Sequence, residues 1–160
     1  TFAIELANEL AQKGEAVYFC SFSRTKKNLQ YKLHSSVQIL SALPDGEKHF
    51  LKRLDESARI RNGFVFVDNL SAVSLIVNPA DRFQKKADMF AQMKEIATRR
   101  DIHIIVTDTF FHASDTDDML PIPCEALDQC DSVYILYKDN ITVDNADDPT
   151  AYMPKLKEIK

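Results

Sequence analysis

Apolar residues recur every four positions at Phe2, Leu6 and Leu10, beside Ala3, Ala7 and Ala11. This spacing predicts a helix with one apolar stripe, ended by Gly14. The run from Ala16 to Phe22, rich in Val, Tyr and Phe, predicts a strand buried on both faces. Ser23 to Ser35 reads as helical around Leu29 and Leu33, and a further helix is expected from about Asp45 to Arg61, with Phe50, Leu51, Leu54 and Ala58 inward and Gly63 as its stop. Phe64-Val65-Phe66-Val67 is a second buried strand, and it ends abruptly on Asp68 and Asn69, where the apolar pattern meets a carboxylate. Beyond a loop containing Pro79, the positions Phe83, Ala87, Phe90, Met93 and Ala97 share one helical face that closes on Arg99-Arg100, a favourable pair at a helix C-terminus. Ile102 to Val106 is a third buried strand. A polar, acidic stretch from His112 to Asp118, a short helix near Cys124 to Leu127, a strand from Ser132 to Tyr137 and a final strand within Ala151 to Ile159 complete the reading.

Strands alternating with helices predict a parallel sheet with right-handed crossovers, hence a doubly wound α/β layer. Ligands of such sheets lie beyond the carboxyl ends of the strands. That places Ser21 to Ser23, Asp68, Thr107 and Asp108 along one functional edge.

Composition narrows this picture without redirecting it. The chain has 160 residues, 45% of them hydrophobic, which suffices for one sizeable core and predicts a single domain over 1–160. A net charge of −4 gives no global attraction to phosphate backbones, so any contact with nucleic acid must be local. Cys20, Cys124 and Cys130 form no C-x-x-C pair and have no histidine at zinc-finger spacing, so they read as reduced structural thiols. No apolar run reaches the length of about 18 residues that a membrane span needs, and no signal peptide opens the chain, so the expected location is the cytoplasm with no membrane partner. Thr1 is not a start methionine, and Phe2-Ala3-Ile4 enters a helical pattern without a cap, as expected of a domain truncated before Thr1 and again after Lys160.

Four stretches, in order, carry a family resemblance. Phe19-Cys20-Ser21-Phe22-Ser23-Arg24-Thr25, followed by Leu29 and Lys32-Leu33-His34-Ser35-Ser36, resembles the DnaB-type replicative helicase pattern F-F-S-L-E-M-S, then L-x-x-R-L-x-S-S. Phe64 to Leu70 is similar to that family's Walker B strand. Met93-Lys94-Glu95-Ile96-Ala97 with Asp101 to Val106 resembles its L-K-x-L-A-K-E-L-x-V-P-V-V, and Cys130 to Asp139 resembles its A-D-V-V-M-F-I-Y-R-D. The resemblance implies a RecA-like, P-loop NTPase type fold with three layers around a mostly parallel central sheet, and it implies ATP and Mg²⁺ as cofactors.

It also implies roles, residue by residue. Asp68 matches the Walker B aspartate that holds Mg²⁺, usually through water. Thr1 resembles the residue after the P-loop lysine, which puts the loop G-x-x-x-x-G-K-[S/T] just upstream; Gly14, Gly46 and Gly63 are too dispersed to build one. Ser23 occupies the position of the catalytic glutamate, where a hydroxyl is a poor general base. Asp108, after Thr107, takes the place of the polar residue that senses the γ-phosphate, where an anion repels phosphate unless a cation intervenes; the strand ends at Asp68 and Asp108 are expected to be neighbours able to share one metal. Lys160 aligns with the lysine leading to the arginine finger. Arg82, Lys85 and Lys86 lie in the first DNA-contacting loop region, about Asn78 to Lys86, and can meet phosphates, whereas Asp115, Asp117 and Asp118 in the second would repel them. His34, His49, His103 and His112 are scattered and receive no role.

Two functions from different classes are compatible with these residues. One is the ATPase motor of a hexameric ring that couples ATP hydrolysis to movement along single-stranded DNA. The other is a degenerate RecA-like module that binds nucleotide or a partner without hydrolysis, as a loader, regulator or structural subunit; Ser23 and Asp108 favour it. A recombinase or clock-type RecA relative fits less well, because the stretch from Leu29 to Ser36 is helicase-like.

Overall fold

A computed structural model describes residues 2–43, 46–56, 60–70, 82–107, 128–137 and 155–158. Its element order is α1 (Phe2–Gln12), β1 (Val17–Thr25), α2 (Lys26–Lys32), β2 (Gln38–Leu43), α3 (Gly46–Glu56), β3 (Phe64–Asp68), α4 (Arg82–Arg100), β4 (His103–Thr107), β5 (Tyr134–Tyr137) and β6 (Lys155–Glu158). Strands β1 to β4 form a four-stranded sheet in the order β2-β1-β3-β4, and all three pairings are parallel. Strands β5 and β6 form a separate antiparallel pair. The chain is thus an α/β protein built around an all-parallel sheet. The expected C-terminal strands are present, but they pair with each other rather than extending that sheet.

The parity of β1 and β3 divides the core into two layers. Tyr18, Cys20, Phe22, Val65 and Val67 face one side, with Phe50 and Leu54 of α3 and Met89, Met93 and Ile96 of α4. Val17, Phe19 and Phe66 face the other, with Ala3, Ile4, Ala7 and Ala11 of α1 and Leu29 of α2. A parallel strand buried on both faces requires near-continuous apolar sequence, which is what β1 and β3 provide. On α1 the buried residues are the alanines and Ile4, while Phe2 is 40% exposed and Leu6 and Leu10 only border the core. Small residues on the buried side let the helix backbone approach the sheet closely, so the expected apolar stripe is buried along its Ala3-Ala7-Ala11 side, with Leu6 and Leu10 at its margin.

The segment after β1 departs from the helix expected over Ser23 to Ser35. Strand β1 continues to Thr25, and only Lys26–Lys32 is helical. Thr25 in extended conformation is the N-cap of α2, its hydroxyl accepting from the Asn28 N–H at 3.3 Å. The other end is stopped by a tertiary contact: Asn8 of α1 accepts from the His34 N–H at 2.7 Å and donates to the Lys32 carbonyl at 2.9 Å. Strand β2, pairing with β1 from Tyr18↔Gln38 onward, was not expected. The helix expected to reach Arg61 ends at Glu56 in α3; Ile60 is fully buried outside it, and Ala58 lies outside the described residues. The helix near Cys124 to Leu127 also lies outside them.

The C-terminal half of α4 is tied down by ion pairs. Arg99 and Arg100 at its C-terminus both pair with Asp55 of α3, and Lys94 pairs with Asp131, just before β5. Cys20, at the centre of β1, is almost fully buried, and loss of hydration pushes its thiol far above the ordinary range. Alkylation of Cys20 in the native protein is therefore expected to stay slow even as pH rises past the usual thiol pKa of about 8.5, and to become fast on unfolding, as peptide mapping by mass spectrometry would show.

Candidate functional site at the carboxyl ends of the parallel strands

In this sheet the chain leaves β1 toward β2 on one side, then crosses back to place β3 and β4 on the other. The order therefore reverses between β1 and β3, and the connections leaving their carboxyl ends go to opposite faces, α2 on one and α4 on the other. A crevice outside the strand ends at such a switch point is where open α/β sheets bind ligands.

Asp68 ends β3 at that point. In the register, Ser21 of β1 lies opposite Asp68, and Asp68 lies opposite Thr107 of β4. The three side chains meet: the Ser21 hydroxyl donates to Asp68 Oδ2 at 3.4 Å, and the Thr107 hydroxyl donates to Oδ1 at 3.2 Å. Asp68 is 7% exposed and Ser21 is fully buried, so these are interior polar groups rather than a solvated strand end. Ser21 also holds the local backbone, its Oγ accepting from the N–H groups of Ser23 at 3.3 Å and Arg24 at 3.1 Å. Those bonds coincide with the irregular β1–β2 register between Cys20 and Thr25, the kind of irregularity that bends a strand locally. On the other side Asn69 turns the chain with φ +63, and its N–H donates to Thr107 Oγ1 at 3.3 Å. Asparagine tolerates this left-handed conformation better than most residues.

The positive partner is Arg24, whose Nε lies 3.5 Å from Asp68 Oδ2. Sequence reasoning passed over it, because it stands where the resembled pattern carries methionine. Its signal was a lone cation at the end of an otherwise apolar and hydroxyl-bearing strand.

Of the residues singled out from sequence, Ser21, Ser23, Asp68 and Thr107 share this edge. Ser23 is exposed, and its hydroxyl lies 3.5 Å from that of Ser21. Thr1, Asp108 and Lys160 lie outside the described residues. Arg82, Lys85 and Lys86 begin α4, which returns from the carboxyl-end rim to the start of β4; the side chains of Arg82 and Lys85 are outside the description, and Lys86 is half-buried and has an interaction partner. A shallow depression of about 540 Å³ lined by Arg61, Asn62, Arg99, Arg100 and Asp101 sits at the opposite rim, before β3 and β4, away from Asp68.

Among the described residues no three His, Cys, Asp or Glu side chains gather as a metal cluster. The donors beside Asp68 are one carboxylate and hydroxyls, all hard oxygens. They fit Mg²⁺, which is commonly held by one or two carboxylates with the remaining positions filled by water and ligand phosphate oxygens. No helix among the described residues is long and apolar enough to cross a membrane. No protein-family model matches the chain, and no curated protein matches it either.

Proposed function

We propose that the chain is the RecA-like ATPase motor domain of a hexameric, DnaB-like replicative DNA helicase, coupling ATP hydrolysis to translocation on single-stranded DNA. The observation that carries this reading is the position of Asp68: a buried carboxylate at the carboxyl end of an interior parallel strand, at the switch point, on one rung with Ser21 and Thr107. Had the carboxylate stood at the other rim, or had Phe64 to Val67 paired antiparallel, the likeness to a Walker B strand would have failed.

In this reading Asp68 holds Mg²⁺ of a bound ATP, and Ser21 and Thr107 orient its two oxygens. Bound ATP supplies the phosphoanhydride that is cleaved. The chain's own contribution is to fix the carboxylate by hydrogen bonds from two neighbouring strands, which leaves little freedom to be lost when ligand arrives. Ser23, at the position of the catalytic glutamate, orients water but does not take its proton at neutral pH, and general-base catalysis is commonly a factor of about 10² to 10⁴.

That substitution, with the Arg24 to Asp68 pair, favours the second reading: a RecA-like module that binds nucleotide or a protein partner without turning ATP over. ATP turnover by the full-length protein, with and without single-stranded DNA, separates the two. Stimulation by DNA that vanishes in Asp68→Ala supports the motor, and background turnover under both conditions defeats it. Ser23→Glu then reports on the second reading: a rise in turnover of at least about 10-fold is expected if a missing base is what limits a site that otherwise binds ATP and Mg²⁺.

A further inference from the structure

Two buried side-chain polar atoms among the described residues find no hydrogen-bond partner, Arg24 Nε and Asn69 Oδ1. Both belong to residues that flank Asp68, one through charge and the other along the chain. Buried donors and acceptors in native folds are nearly all satisfied, so an unpartnered guanidinium nitrogen 3.5 Å from a buried carboxylate calls for an explanation.

The Arg24 contact itself is unusual in kind. Charge-assisted N–H···O bonds run at about 2.7–2.9 Å, whereas Nε and Oδ2 are 3.5 Å apart and form no hydrogen bond. The guanidinium is therefore held beside Asp68 by charge rather than by a directional bond. Its backbone N–H is fixed on Ser21, but no described hydrogen bond anchors the Nε. A divalent ion on an Asp68 oxygen would sit about 2.0–2.1 Å from it, within a few ångströms of that guanidinium. In a site this sheltered from water the two cations repel strongly.

We propose that Arg24 is a resident counter-charge that occupies the divalent-ion position beside Asp68, so that ion entry and Arg24 departure are one exchange. This rests on the reading of Asp68 as the ion-holding carboxylate. Arg24 keeps the bare ion out until the guanidinium is drawn away, which makes loading of the ion depend on what else enters the crevice.

The test is binding of Mn²⁺, a hard oxygen-seeking ion, measured by the electron paramagnetic resonance of the free ion at constant ionic strength, with circular dichroism to verify folding. Arg24→Met is expected to bind Mn²⁺ at least about tenfold more tightly than the unaltered chain, Arg24→Lys to stay close to it, and Asp68→Asn to abolish the gain in an Arg24→Met background. If Arg24→Met fails to fold, Arg24→Gln serves with the same expectation. Equal or weaker binding in Arg24→Met, with Asp68→Asn still removing the ion, overturns the exchange and leaves Asp68 as the ion's ligand. Binding that ignores Asp68→Asn, or no binding by any variant, overturns the reading of Asp68 and the exchange with it.

Discussion

Replacing Phe66 by alanine is expected to cost about 3–5 kcal/mol of folding free energy. Phe66 is fully buried in the middle of β3, with pairing partners on both sides in Phe19 of β1 and Ile105 of β4. Its ring stacks on Phe19 at a centroid distance of 5.9 Å, over the face covered by α1 and α2. The loss combines the transfer of a large apolar side chain with the void left between sheet and helices, which neighbours fixed by the parallel ladder are poorly able to fill. Urea unfolding followed by circular dichroism would measure it; a loss below about 1.5 kcal/mol would mean that the layer between α1 and the sheet can collapse. Phe66→Leu, which keeps most of the volume, should recover much of the deficit.

The second large effect is expected at Gly63, and its cause is space rather than backbone conformation. A Cβ built on Gly63 would lie 2.5 Å from the carbonyl oxygen of Ala16, a backbone atom that already accepts from the Phe64 N–H at 2.9 Å. The Gly63 carbonyl in turn accepts from the His103 N–H at 2.9 Å, so the residue lies between the starts of β1 and β4 and cannot move toward either. Gly63→Ala should therefore destabilise by about 1–3 kcal/mol, the usual range for overpacking, with the upper end favoured because the obstructing atom is main chain. Gly14→Ala is the natural comparison: Gly14 has φ +87 but no atom within 4 Å of its would-be Cβ, so strain alone acts there and the cost should be about 1 kcal/mol. The same unfolding measurement decides; equal losses at the two glycines would contradict the steric explanation for Gly63.

How much of this was legible in the sequence follows from what each element packs against. Strands β1 and β3 were readable because a strand covered on both faces must be apolar throughout, and Phe64 to Val67 followed by Asp68 is such a run with a polar end. Strand β4 was found by its apolar run, but the buried strand expected over Ile102 to Val106 is only half-buried and His103 is exposed, because β4 lies at the edge of the described four-stranded sheet. Strand β2 was not, because Gln38-Ile39-Leu40-Ser41-Ala42-Leu43 mixes polar and apolar positions; Ser41 is buried opposite Cys20, and that partner is fixed only by the fold. The overlong helix at Ser23 to Ser35 had the same origin. Leu29 and Leu33 do have helical spacing and are buried, but the Ser21 hydroxyl holds Ser23 and Arg24 in the strand's turn, and Asn8 ends α2 from a different helix. No local pattern encodes a cap from a residue 26 positions away. At the candidate site, the Asp68 edge was legible from the abrupt change of polarity, and Thr107 came with it as the end of the next strand. Arg24 was missed because its meaning lies in proximity to a carboxylate 44 positions on, which only the β1–β3 register reveals.

That register has one more consequence. Ser21, Asp68 and Thr107 occupy the same rung of three adjacent strands, spaced by the main-chain ladder at about 4.8 Å per step. The spacing of the carboxylate and its two hydroxyls is therefore set by sheet geometry, and the connecting segments that follow are spared that task. Those connections are free to lengthen, change composition or acquire new partners over evolutionary time while the three-residue rung stays in place, so a laboratory graft of foreign loops onto this rim should retain it.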